Sequence, residues 1–129
     1  MFDDLRVVTV LSLMTGMKTK TSFFVLDLSI SVISDLRPVV VEIRRFDRDL
    51  GEQIRRALSS VALNIAEGNR SLGGHRIARF STAAGSAAEA RAALRVAIAW
   101  QYVDANAIAN GDAALDRVAG MLYALGARW

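Results

Sequence analysis

The chain has 129 residues, no cysteine, one histidine and a formal net charge of +3. That length carries one hydrophobic core and not two. The missing cysteine excludes disulfides and thiolate metal sites and fits a cytoplasmic, reducing location, while a lone His75 excludes most histidine-based metal sites.

Residues 1–22 read differently from the rest. The apolar run from Leu5 to Met14 is broken by Arg6 and preceded by Asp3 and Asp4, where a signal peptide would carry positive charge. It is too short by half to span a membrane, so no membrane partner is expected. Rich in β-branched residues, it reads as a strand or an apolar arm packed on the remainder; the alternative is that translation begins at Met14 or Met17. Residues 23–129 form the domain proper.

From about Ser22 a helical period takes over. Val25, Leu28, Val32, Leu36, Val39, Ile43 and Phe46 make one stripe, with Pro38 inside it. A proline there removes a backbone donor and crowds the preceding turn, so helix one is expected to bend near Leu36 or restart at Pro38. Asp47 reads as the N-cap of helix two, expected over 48–67 with Ile54, Leu58, Val61 and Ile65 as its buried face and Gly68 as its stop. After the link GNRSLGG, helix three is expected over 75–101, with a seam of Phe80, Ala83, Ala87, Ala90, Leu94, Ala97 and Gln101. Asp104 caps helix four, whose stripe is Ile108, Gly111, Leu115, Val118, Leu122 and Leu125, with Trp129 close to the same line. Short links between four amphipathic helices predict an all-α, antiparallel up-down-up-down four-helix bundle.

Two features go beyond a plain bundle. Helix two carries a second stripe of small or polar residues, Gln53, Ala57, Ser60, Asn64 and Glu67, suited to close packing with hydrogen bonds. Helix three is apolar nearly all round, with Ala84, Ala88, Ala93, Val96 and Trp100 outside its seam, and Leu63 lies opposite the core stripe of helix two. Such surplus predicts a homo-oligomer with Leu63, Val96 and Trp100 near the interface.

No constellation announces catalysis. A di-iron bundle needs Glu-x-x-His on two helices, and no Glu here has His at the third position after it. The link GNRSLGG lacks the closing Gly-Lys-Ser/Thr of a phosphate loop, and no spacing sets Ser59, Ser60 or Ser86 beside His75. The expectation is a protein without catalytic residues, metal or cofactor. Asn64, Glu67, Ser86 and Glu89 read as polar ties between helices two and three, with a polar pocket as the functional alternative.

The arginines are the remaining candidates: from Arg44 to Arg95 there are ten arginines against five acids. Arg55 and Arg56 point away from the core stripe, Arg70 lies in the link, and Arg76 and Arg79 share a face at the start of helix three, where free backbone N–H groups suit a phosphate. With no aromatic interleaved, the pattern suits non-specific RNA or DNA binding rather than base readout. The rival reading is a solvated charged surface on a structural adaptor that binds a protein partner.

Arg55-Arg56-Ala57, Ser60, Asn64-Ile65-Ala66-Glu67-Gly68, Arg70, Arg79-Phe80, Gly85-Ser86 and Glu89 resemble, in order and spacing, the four-helix-bundle proteins first noticed as reading frames inside intervening sequences of bacterial 23S ribosomal RNA genes. The likeness covers roughly residues 23–125; the N-terminal arm and the Gly73-Gly74-His75 link depart from it. The resemblance implies an antiparallel bundle and, for several relatives, a ring of five subunits. It extends in architecture to accessory proteins of diversity-generating retroelements, in which a basic pentameric barrel associates with nucleic acid and a reverse transcriptase. The family name records a gene location and implies no activity on ribosomal RNA.

Overall fold

The computed structural model describes the backbone of residues 17–128 and the side chains of residues 21–128. The apolar run at 5–14 and Trp129 lie outside the described residues. Within them are four helices and no strand: α1 Met17–Phe46, α2 Arg48–Asn69, α3 Gly73–Ala99 and α4 Ala105–Ala124. Each packs on its neighbours in the order α1, α2, α3, α4 and back to α1, with α2 and α3 the most closely joined pair. The chain is therefore an all-α four-helix protein around one core.

The apolar stripes fold as their spacing predicts. Val25, Val32, Leu36, Val39 and Ile43 of α1, Ile54, Leu58, Val61 and Ile65 of α2, and Ile108, Leu115, Val118 and Leu122 of α4 are all buried. On α3 the seam of Phe80, Leu94 and four alanines is at most 5% exposed, and so are Ala84 and Ala93 beside it. Small side chains let α3 approach its neighbours closely, and the single chain itself covers part of the surface that the sequence assigned to a sister copy. Asp47 caps α2 as expected, its Oδ1 accepting from Leu50 N–H at 3.0 Å. Asp104 occupies the N-cap of α4 without a side-chain hydrogen bond.

Several expectations are corrected. α1 begins earlier than Ser22 and does not restart at Pro38, which lies inside one continuous helix. Phe46 leaves the core stripe: it is 60% exposed at the helix end and stacks on Tyr102, ring centroids 5.4 Å apart. Leu125 is only half-buried, at the C-cap of α4.

Gly68 is not a stop. α2 runs one residue past it to Asn69, and Gly68 is buried inside the helix, where a Cβ would lie 2.5 Å from Cε1 of Phe80. Its missing side chain is the space that the Phe80 ring fills, which brings α2 and α3 together.

Gln101 is not part of the α3 seam. The helix ends at Ala99; Gln101 is exposed with φ +65°, its N–H bonds to the Ile98 carbonyl at 2.8 Å, and Tyr102 N–H bonds to the Ala97 carbonyl at 3.0 Å. That is a Schellman cap with glutamine at the left-handed position usually held by glycine. Gln101→Gly is expected to raise stability by about 0.5–1 kcal/mol, read as a higher Tm.

A charged tie joins α3 to α4. Arg91 bonds Asp112 through Nε at 2.9 Å and Asp116 through Nη1 at 2.8 Å, and Arg95 lies 3.6 Å from Asp112. The hydrogen bond from Arg91 holds the Asp112 carboxyl below the usual carboxylate range, against the opposing pull of partial burial. With the folded value depressed, the unfolded chain takes up the proton first. The tie therefore contributes fully above the unfolded carboxylate value of about 3.9 and fades as pH falls through the folded value. The Tm difference between wild type and Asp112→Asn is expected to be largest near neutral pH and to shrink below about pH 4.

Candidate functional site

The α2–α3 link gathers three of the five arginines singled out in the sequence. Arg70 is the C-cap of α2, its N–H bonding to the Glu67 carbonyl and the following Ser71 N–H to the Gly68 carbonyl, both at 3.1 Å. After Ser71, Leu72 starts α3 in extended conformation with no side-chain cap, and Gly73 takes φ +56° with open space around it. The first turn of α3 thus has backbone N–H groups that no side chain of the cap satisfies.

Arg79 and Arg70 are exposed and make no ion pair among the described residues. Arg76 behaves differently: its Nη1 donates to the Gly68 carbonyl at 3.1 Å, and its guanidinium sits 4.5 Å over the Phe80 ring. It locks the Gly68–Phe80 contact, so the more accessible charge belongs to its neighbours. Between residues 66 and 82 these three arginines meet one carboxylate, Glu67.

Two arginines that sequence reasoning missed are Arg117, within α4, and Arg128, in the segment after it. Arg128 N–H donates to Ser81 Oγ at 2.8 Å, which sets this residue beside the first third of α3. Arg117 lies over the Phe24 ring at 5.2 Å. Asn69 Nδ2 reaches the Ser22 carbonyl at 3.4 Å, so the start of α1 belongs to the same end of the molecule. No spacing in the sequence sets Arg117 over Phe24 or Arg128 beside Ser81; only the fold does.

Arg55 and Arg56 are not part of this group. They precede Arg70 by about four helical turns, roughly 20 Å along α2. Arg55 Nε bonds Glu52 at 3.0 Å, and Glu52 also meets Arg44 Nε at 3.1 Å, which places Arg55 at the α1–α2 groove. The hydrogen bond from Arg55 holds the Glu52 carboxyl below its ordinary value. Arg56 is exposed and makes no ion pair among the described residues.

The polar residues between α2 and α3 come together in part. Ser60 Oγ and Ser86 Oγ are 2.8 Å apart, and Asn64 Nδ2 donates to the Ser60 carbonyl at 2.9 Å and to its Oγ at 3.1 Å. Glu89 pairs with Gln53 at 3.5 Å, while Glu67 is exposed and contributes its backbone carbonyl to Ser71 Oγ. Ser60 and Gln53, members of the small polar stripe, are thus the direct partners of Ser86 and Glu89. His75 is exposed on the first turn of α3, about 16 Å along that helix from Ser86. Among the described residues no three His, Cys, Asp or Glu side chains cluster to hold a metal ion, and no helix is long and apolar enough to cross a membrane.

Leu63, Val96 and Trp100 are 69%, 44% and 65% exposed. Trp100 stacks on Tyr102, ring centroids 6.4 Å apart, at the opposite end of α3 from the arginine group.

No curated protein and no solved structure matches the chain. A family model does, over residues 35–124, a span that takes in α2, α3, α4 and α1 from Asp35 onward. With the Asn64–Gly68 segment, Phe80 and the Ser60–Ser86 contact all inside that span, the chain belongs to the family of the 23S rRNA-intervening sequence protein.

Proposed function

We propose that the protein is a non-enzymatic, homo-oligomeric four-helix bundle of the cytoplasm, a pentamer by likeness to relatives, that binds RNA or DNA through phosphate contacts without reading sequence. The observation that carries this reading is the pair Arg70 and Arg79, exposed and without an ion pair among the described residues, beside the uncapped start of α3. The reading includes an antiparallel up-down-up-down course, supported by the reverse order in which α2 and α3 meet: Gln53 with Glu89, Ser60 with Ser86, Gly68 with Phe80. It also includes a bend of α1 at Pro38, where the ring removes one backbone donor.

The test is fluorescence anisotropy of a labelled RNA duplex and a DNA duplex, titrated at rising salt. Phosphate binding predicts similar affinities for unrelated sequences and a steep loss with salt. Absence of binding at low salt would reject this reading in favour of the adaptor, which the exposed aromatic rings of Phe46 and Trp100 favour as a protein-facing surface.

A further inference from the structure

We propose that the groove between α1 and α2 seats the chain's own residues 3–13, which precede α1 and lie outside the described residues. This depends neither on nucleic-acid binding nor on assembly of copies.

The groove sets what its occupant must look like. Beside its core stripe α1 carries a second one, Phe23, Ile30, Ile33, Arg37, Val41 and Arg44, in steps of three, four and seven. Phe23, Ile30 and Val41 are 48%, 49% and 48% exposed, large apolar side chains in a line. Between this line and α2 lies a groove of about 310 Å³, with Ile33, Val40 and Leu58 as its apolar side and Arg37, Arg44 and Arg55 around them. Glu52 pairs with Arg44 and Arg55 at 3.1 and 3.0 Å, one carboxylate against two guanidiniums, and Arg37 has no ion pair among the described residues. A segment that fits is therefore apolar along its length and acidic at one end.

Residues 3–13 have that pattern. Read as the extended segment that their β-branched side chains favour, they send alternate side chains to opposite sides. One side holds Asp3, Leu5, Val7, Thr9, Leu11 and Leu13, acidic at its beginning and apolar beyond it except for Thr9; Arg6 falls on the other side.

The reach agrees with the pattern. From Met17, where α1 starts, Phe23 stands about 9 Å, Ile33 about 24 Å, Arg37 about 30 Å and Arg44 about 40 Å along the axis, at 1.5 Å per residue. An extended chain covers about 3.3 Å per residue. With roughly three residues given to reversing direction near Gly16, Leu11 comes level with Phe23, Val7 with Ile33, and Asp3 with the stretch between Arg37 and Arg44. The line of exposed apolar side chains also runs from the groove back towards the start of α1, the point at which this segment joins the helix. That continuity favours the chain's own segment over a second copy or another protein as the occupant.

The chain has no cysteine, so introduced thiols report alone. In the full chain, Ile33→Cys is reacted with a maleimide, with circular dichroism to check folding; Val41→Cys replaces it if that variant unfolds. Adding Leu5→Asp/Val7→Asp, on the side facing the groove, is expected to speed labelling at least tenfold, and adding Val8→Asp/Val10→Asp, on the other side, to leave it unchanged. Oxidised Val7→Cys/Ile33→Cys is expected to form a disulfide within one chain, seen as a faster-migrating monomer on a non-reducing gel. Labelling that Leu5→Asp/Val7→Asp does not change overturns the proposal, and a multimer by sedimentation in that case gives the groove to a second copy. Disulfides formed only between chains overturn it as well, since the segment then serves a neighbour's groove. Equal acceleration by both aspartate pairs overturns the assigned facing of the segment.

Discussion

Phe80→Ala is expected to lower the free energy of unfolding by about 3–5 kcal/mol, the range for emptying a buried aromatic site. Phe80 is fully buried, and its ring meets two groups at once: the Gly68 backbone of α2 and the Arg76 guanidinium above it. Removing it opens a cavity between the most closely packed pair of helices and leaves Arg76 without its ring. For a domain of this size the loss corresponds to a fall in Tm on the order of 10–20 °C, measurable by thermal circular dichroism.

The complementary change is Gly68→Ala. At an unencumbered helix position that substitution gains up to about 1 kcal/mol from helix propensity. Here the new Cβ would stand 2.5 and 2.7 Å from two Phe80 ring carbons, and a ring wedged in the core has no room to swing away. Overpacking of this kind costs about 1–3 kcal/mol, so the expected sign is destabilising. Gly120→Ala is the control: Gly120 lies in α4 with nothing within 4 Å of a Cβ, and the same substitution is expected to stabilise by about 0.5–1 kcal/mol. In Gly68→Ala/Phe80→Leu the two losses are expected to sum to less than their parts, since the smaller side chain relieves the crowding. Equal gains at Gly68 and Gly120 would show that the close approach is absent.

These two positions also mark how far the sequence could be read. Apolar spacing along Val25, Ile54, Leu94 and Leu115 is a property of one helix at a time, and these residues are buried as that period requires, while Leu28, Phe46 and Leu125 of the same stripes are not. Asp47 is similarly local, because a cap acts within its own first turn. Gly68 is not local: a glycine after an apolar run looks like a stop, and only the ring arriving from α3 shows that the missing Cβ is what matters. Gln101 misleads in the opposite way, by filling a left-handed position without the glycine that would advertise it.

The candidate site divides along the same line. Arg70, Arg76 and Arg79 lie within ten residues of one another, and the link brings them together; Arg55 is diverted to Glu52, and Arg76 turns back onto Gly68 and Phe80. Arg117 lies over Phe24 and Arg128, past the end of α4, reaches Ser81, and no motif foretells either contact. Leu63, Val96 and Trp100, expected from the sequence near an interface between copies, are outward-facing.

The most direct trial of phosphate binding at the arginine-rich end compares the salt dependence of wild type with that of Arg70→Ala/Arg79→Ala on the same labelled duplex. Plotted as log K against log salt, each lost phosphate contact should flatten the slope by about 0.9 on duplex DNA. The expected result is a double variant with weaker binding, a shallower slope and an unchanged Tm. Identical slopes for the two proteins would contradict the account, because the charge that holds the backbone would then lie somewhere other than the α2–α3 link.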